Sequence, residues 1–355
     1  MDKKEDIIKP GTHTYLSKAS QFLMLSSEYV AATRKEETGV SFNEKMKTDT
    51  FLEKKAKRKK RFTQNDWMGY LFSAPLIIGV LAFAIYPMIA ALIMSFHQTT
   101  GLSVGGKWVG FSNYDYVLSD SLFWQALTNT FFIGIWSVLL GIVLSFVLAS
   151  LINNLKWSMG KNFFKAVFFL PNVVSGVATT LLFSFLFFPS KEGLLNFVIG
   201  LFGIEPVGWF TNPQVSRYSI VLMSLWGALG YNTIIFLAGL QSVPRDLYEA
   251  AEVDGAGTYR KWLYITIPYL RPIFVFMLIM GTIGGMKRFT DVWLIGGTAG
   301  NPGGSLMTVV LYIYRNAFLA SQMGMATAAS YLLFIIIFVL TAFLMLLNRR
   351  KDSFD

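Results

Sequence analysis

The stretch Arg245-Asp246-Leu247-Tyr248-Glu249-Ala250-Ala251-Glu252-Val253-Asp254-Gly255-Ala256, followed by Ile265-Thr266-Ile267-Pro268, interrupts an otherwise apolar half of the chain. Its first twelve residues carry four carboxylates, with long apolar runs on both sides. Such a charge density is costly in hydrocarbon, so the stretch belongs in water at a membrane surface and its neighbours in the bilayer. Pro244 and Asp246 mark a helix start: proline there removes a donor that the first turn does not use, and acid suits the positive end of the helix dipole. Gly255 is the natural break, and a second helical piece from Thr258 to Ile265 leads to Pro268. A short helix, a turn and a short helix are expected.

Composition supports a bilayer as solvent. The 355 residues are 54% hydrophobic and 15% charged, and the mean hydropathy of +0.49 exceeds that of ordinary soluble domains. A net charge of +10 raises nucleic acid as a partner, but no nucleic-acid motif accompanies it, and the basic residues crowd into the first sixty-odd positions and short loops. The absence of cysteine excludes disulfides and thiolate metal sites, and the two histidines, His13 and His97, lack ligand spacing. The first apolar run starts far from Met1 and is too long for a signal-peptide core, so no cleavable signal is expected.

Residues 1–66 read as a cytoplasmic basic extension. It ends in Lys54-Lys55-Ala56-Lys57-Arg58-Lys59-Lys60-Arg61, an anchor beside anionic headgroups. Within it, Leu16 through Val30 is weakly amphipathic, with disorder as the competing reading. Six apolar segments follow, near Trp67 to Phe96, Trp124 to Ile152, Phe163 to Phe188, Tyr218 to Leu240, Tyr269 to Ile295 and Ala326 to Leu347. They define a membrane domain over 67–348, with the polar hairpin at 242–268 and a tail at 349–355. Pro75 and Pro87 predict kinks in the first span, and Trp67, Trp124, Trp157, Trp209 and Trp262 fit interfacial belts. Lysine and arginine are rich before the first span and recur at Lys156, Lys161, Arg245, Arg260, Lys261, Arg349, Arg350 and Lys351. The connections from His97 to Phe123 and from Pro189 to Ser216 carry only Lys107 and Lys191. Both termini are therefore read as cytoplasmic, consistent with an even number of spans. The outer run Gly296-Gly297-Thr298-Ala299-Gly300-Asn301-Pro302-Gly303-Gly304 cannot be a regular helix and is expected to be a turn or re-entrant loop. No strand and no Gly-Lys-Ser/Thr sequence makes it a phosphate loop.

Glu249-Ala250-Ala251, Asp254-Gly255-Ala256 and Ile267-Pro268, at this spacing, resemble the cytoplasmic signature of permease subunits of bacterial binding-protein-dependent ABC importers. The flanking Leu237-Ala238-Gly239-Leu240-Gln241-Ser242-Val243-Pro244 and Tyr312-Ile313-Tyr314-Arg315-Asn316-Ala317-Phe318 look like the carbohydrate branch, close to the larger maltose permease. The resemblance covers roughly Trp67 to Asn348. It implies an all-α membrane protein with the six-helix type I importer fold. The hairpin would be a coupling helix docking in a groove of an ATPase subunit, with Glu249, Ala250, Ala251, Asp254, Gly255 and Ala256 as its docking and turn residues. The implied partners are a second permease, an ATPase homodimer that binds ATP and magnesium, an extracellular or periplasmic solute-binding protein and an oligosaccharide, all at the bacterial inner membrane. The chain lacks a Walker lysine loop, so no enzyme activity and no cofactor of its own are expected.

By the same resemblance, Tyr231, with Asn232 beside it, falls where the maltose permease contacts sugar. Packing between helices is the competing reading of the tyrosine. Where that protein uses asparagines, this chain has Gly285 and Arg288. A cation in the path favours an anion, so Arg288 and Lys287 become candidates to bind the carboxylate or sulfate of an acidic oligosaccharide. Two readings compete: Asp291 neutralises both cations on one helix face, or both lie near the outer interface and snorkel. A neutral oligosaccharide or a glycerophosphodiester is the alternative substrate, and a secondary transporter or channel is the different-class alternative. A membrane-embedded enzyme lacks a nucleophile-base-metal set.

Overall fold

The computed structural model describes residues 64–99, 101, 106–155 and 158–349. The cationic block, the stretch Leu16 to Val30, Lys156, Trp157 and the tail from Arg350 lie outside the described residues, as do the side chains of Lys161 and Arg349. Contacts divide the chain into two units, Met1–Val80 and Leu81–Asp355.

In the first unit, α1 (Gln64–Val80) is apolar and largely exposed, as a lipid-facing helix should be. It continues as one helix through Pro75, because the helical bonds on either side carry on past the one missing donor. The second unit opens with a π-helical turn, Leu81–Ile85, followed by α2 (Tyr86–Ser95) with Pro87 at its start. There the proline does perturb the ladder: the widened turn accommodates its ring and its missing N–H. Trp67–Ser95 is long and apolar enough to cross a membrane.

A two-stranded ribbon, β1 (His97–Gln98) paired antiparallel with β2 (Lys107–Trp108), then leads to α3 (Ser112–Ser119). The second span is α4 (Ser121–Asn154), started by Asp120, whose carboxylate accepts the Leu122 N–H at 2.9 Å. The third expected span is not one helix. It is α5 (Ser158–Val173) and α6 (Gly176–Leu186), bent by 103° between Val173 and Gly176. Pro171 weakens the end of α5, and Ser175 starts α6 by accepting the Ala178 N–H.

After the short α7 (Leu194–Gly200), α8 (Ser216–Ser242) forms the fourth span. The polar hairpin comprises α9 (Arg245–Val253), α10 (Thr258–Lys261), a π turn over Trp262–Thr266 and α11 (Ile267–Tyr269). The fifth span is α12 (Arg271–Met286) and α13 (Thr290–Gly296), interrupted at Lys287 to Phe289. After the glycine-rich loop come α14 (Val309–Tyr314), a π turn over Arg315–Leu319 and the last span, α15 (Met323–Arg349).

As expected, the glycine-rich run is no regular helix. A 3-10 turn covers Gly297–Ala299, and Gly297, Gly300, Gly303 and Gly304 have positive φ. The loop packs back against the long helices. Asn129 on α4 donates to the carbonyls of Gly304 (2.8 Å) and Met307 (2.9 Å), Thr130 accepts the Val309 N–H at 2.9 Å, and Ser216 meets Ser305 at 2.7 Å. Leu306 and Met307 are fully buried.

Two apolar clusters anchor the bundle. One joins Phe123, Ile133, Ile220, Met286, Met307 and Tyr312; the other joins Phe146, Ile152, Phe236, Leu270 and Met277. Small residues set the helix crossings, as in bilayers, where backbone proximity supplies the packing. A Cβ on Gly285 of α12 would sit 3.1 Å from the Cα of Gly134 on α4, and one on Gly141 would sit 3.3 Å from Ala228 Cβ on α8. Trp67 and Trp124 are exposed as belt residues should be, whereas Trp209 bonds Asn196 Oδ1 (2.9 Å) and stacks on Phe187, and Trp262 stacks on Phe146.

Gly285→Val is expected to cost about 1–3 kcal/mol, the usual penalty for overpacking. Gly284→Ala, whose added carbon meets nothing within 4 Å, should leave stability unchanged or higher. Thermal unfolding of the purified variants checks the pair; equal melting would refute the crossing as the constraint.

Candidate functional site

Two places combine interrupted helices with polar side chains: the hairpin and a cavity beside the breaks of the third and fifth spans.

In the hairpin, α9 ends in a doubly bonded cap. The Ala256 N–H reaches the Ala251 carbonyl at 2.8 Å, and the Gly255 N–H reaches the Glu252 carbonyl at 3.0 Å. This pattern requires a left-handed residue, and Gly255 has φ +74°. The second helical piece folds back and is tied on: Lys261 Nζ donates to Glu252 Oε1 at 2.6 Å, and the Tyr248 and Thr266 hydroxyls meet at 2.8 Å. Trp262 reaches across to α4, donating to Ser150 Oγ at 3.2 Å, and the Tyr269 hydroxyl donates to the Ser242 carbonyl at 3.1 Å. One face of α9 is thus bound to its own unit. The other presents Asp246, Glu249, Ala250 and Val253 to solvent, and Val253 is 89% exposed. Ala251 and Ala256 are half-buried, while Asp254 and Gly255 are exposed at the turn.

The cavity, about 500 Å³, is lined by Asn172, Thr179 and Thr180 around the break of the third span. The fourth span adds Ser224, Gly227 and Ala228, and the fifth adds Gly284 and the run Arg288 to Asp291. A helix break at membrane depth survives only where its freed backbone groups find partners or line a wet space. Both devices are present. Thr308 from the return loop donates to the Arg288 carbonyl at 2.9 Å, and Arg288 and Phe289 of the break line the cavity. Arg288 and Asp291 form an ion pair, each less than one-fifth exposed. The pair bridges the interruption between α12 and α13; it does not share one continuous helix face, because the helix stops at Met286. Arg288 Nε is buried and has no hydrogen-bond acceptor among the described residues.

Of the five residues expected to meet substrate, Arg288 alone lines this cavity. Gly285 faces Gly134 in the crossing of α12 with α4, and the amide of Asn232 lies near Gly141, so helix packing claims both. Lys287 is exposed and forms no ion pair with a described residue. Tyr231 is 49% exposed and lies one turn beyond Gly227 and Ala228 on the same stripe of α8, just outside the cavity. Sequence reasoning missed Asn172, Thr179, Thr180 and Ser224. The available signal was Pro171-Asn172 followed by Ser175-Gly176 within an apolar run, which marks a broken span.

Among the described residues, five helices long and apolar enough to span a membrane and a sixth span made from a bent pair, together with a braced polar hairpin, are the architecture of a type I importer permease. Residues 141–353 match the family described as "Binding-protein-dependent transport system inner membrane component", and the chain belongs to that family of multi-pass membrane permeases. It is 35% identical over 272 residues to the arabinooligosaccharides transport system permease protein AraP of Bacillus subtilis, covering 77% of this chain and 85% of that one. It is also 35% identical to the lactose transport system permease protein LacF of Rhizobium radiobacter, covering 78% and 92%. Among solved structures, it resembles a bacterial ABC transporter involved in import of the acidic polysaccharide alginate, with a TM-score of 0.70 and 26% identity over 81% of this chain and 96% of that one. An alginate transporter in complex with an alginate pentasaccharide-bound periplasmic protein matches with TM-score 0.70 and 25% identity, at the same coverage. The chain is thus a binding-protein-dependent transport permease by family, and the relatives it matches are transport permeases, not enzymes.

Gly255→Ala is expected to strain the cap by about 1–2 kcal/mol, the penalty for a side chain in the left-handed region. Hydrogen exchange at the amides of residues 255 and 256 should accelerate while the spans melt unchanged; unaltered exchange would show that the glycine is not required.

Proposed function

We propose that the chain is the transmembrane permease subunit of an ATP-driven importer that carries an acidic, uronate-containing oligosaccharide into the cytoplasm. A solute-binding protein delivers the sugar, a second permease completes the path, and a pair of ATPase subunits supplies the drive. The hairpin and both termini face the cytoplasm, as the lysine and arginine distribution favours.

The observation that carries the substrate reading is the state of Arg288. One side of its guanidinium is held by Asp291, while its buried Nε, beside a cavity, lacks an acceptor. A carboxylate entering the cavity supplies that acceptor, and a guanidinium is suited to two-point contact with it. Asn172, Thr179, Thr180 and Ser224 then offer partners to sugar hydroxyls. The alginate importers' likeness supports an acidic cargo. A neutral oligosaccharide is the second reading, favoured by the charge cancellation within the Arg288–Asp291 pair and by the names of the AraP and LacF relatives.

For the drive, α9 acts as a coupling helix. Its exposed face, with Glu249, Ala250 and Val253, is the docking surface, and Asp254, Gly255 and Ala256 form the turn. Ala251 lies at its margin. The cap and the Lys261–Glu252 pair let a push on α9 pass into α12 and α4 as a rigid displacement.

Glu249→Lys should abolish co-purification of the ATPase; a complex that still holds its ATPase would refute the docking role. Arg288→Gln should weaken uptake of a uronic-acid oligosaccharide by about 10- to 100-fold, corresponding to roughly 1.5–3 kcal/mol for a hydrogen bond to a charged group. Neutral-sugar uptake should change little. Unchanged acidic uptake would favour the neutral reading.

A further inference from the structure

A second cavity, about 650 Å³, lies where the hairpin meets the ends of α4 and α8. Its lining has two characters. Leu240, Val243 and Trp262 contribute apolar lining, whereas Arg245, Lys261, Asn154 and Thr258 contribute hydrogen-bond donors. Glu252 is its one carboxylate, and that group is already held by Lys261 at 2.6 Å. Arg245 forms no ion pair with any described residue. Two cations against one committed carboxylate leave the cavity with a surplus positive charge, and Trp262 and the ends of two spans set it at the boundary between hydrocarbon and water.

We infer that this cavity binds a phosphate group, supplied by the headgroup of an anionic phospholipid of the cytoplasmic leaflet or by free phosphate. The apolar lining suits the glycerol and first acyl carbons of a lipid, and Arg245 with the other donors of the lining suits the phosphate oxygens. A basic pocket between span ends on the cytoplasmic side is where such headgroups lodge. Because the lining comes from α4, α8 and both arms of the hairpin, an occupant bridges the hairpin to the bundle and braces it. The inference rests on the cytoplasmic placement of the hairpin proposed above.

The test uses the complete importer in nanodiscs of phosphatidylcholine, with and without phosphatidylglycerol, and reads by native mass spectrometry the lipid retained on the permease. The wild type should retain phosphatidylglycerol through delipidation. Arg245→Gln and Asn154→Leu should lose it, and Arg245→Lys, which keeps the charge, should recover part of it. Displacement of the lipid by added inorganic phosphate would identify the free anion as a source of the same chemistry; retention despite phosphate would identify the lipid as the occupant. Equal phosphatidylglycerol retention by the wild type, Arg245→Gln and Asn154→Leu would overturn the inference, as would retention of phosphatidylcholine in its place. Failure of the docking reading is seen separately: an ATPase that stays bound to the Glu249→Lys complex refutes docking and leaves the lipid result standing.

Discussion

Hydrocarbon offers no partner to a peptide N–H or C=O, so a spanning chain must satisfy its backbone from within. Everything else in this bundle depends on where that rule is met by unbroken helix and where it is not. α4 and α8 run uninterrupted and form the frame. The third and fifth spans break, near Val174 and near Arg288, and the two breaks line the same cavity. The Ser175 hydroxyl takes one freed N–H, and Thr308 gives its proton to one freed carbonyl. Residues of both breaks line a space that can hold water or a polar solute. The proposed sugar path needs such a place.

The same economy governs the return loop. Four positive-φ glycines let the chain turn tightly, and Asn129, Thr130 and Ser216 on the long helices bond the loop so that Leu306 and Met307 can be buried. The loop then delivers Thr308 to the break in the fifth span. Polar side chains on α4 thereby hold a distant loop that in turn holds the cavity wall, and the Gly134–Gly285 crossing keeps that wall close to the frame.

At the other end of the bundle the hairpin is held from several directions, by its cap, the Lys261–Glu252 pair, the Tyr248–Thr266 contact and the Trp262 bond to α4. Its outward face carries no such ties. Under the proposed role this division is what a lever requires: a surface free to dock, mounted on a body stiff enough to transmit displacement. Gly255 matters for the geometry of that mounting; Glu249 and Val253 matter for the surface.

Hydropathy and the polar residues between two apolar runs determined six apolar segments and a helix-turn-helix hairpin, because these depend on local composition and on periodicity, whereas the class of protein was read from the resemblance that the residues from Glu249 to Pro268 carry. The tightness of the glycine turn was legible for the same reason. The break in the third span had a signal in Pro171-Asn172 and Ser175-Gly176, but its 103° bend depends on what packs around it. Whether a polar residue in a span faces a cavity or a neighbour was not legible at all. Gly285 and Asn232 pack against α4, Tyr231 lies a turn outside the cavity, and Arg288 reaches it with Asp291 as its partner. Helical periodicity specifies which residues share a stripe; only the crossing of one helix on another decides what that stripe meets.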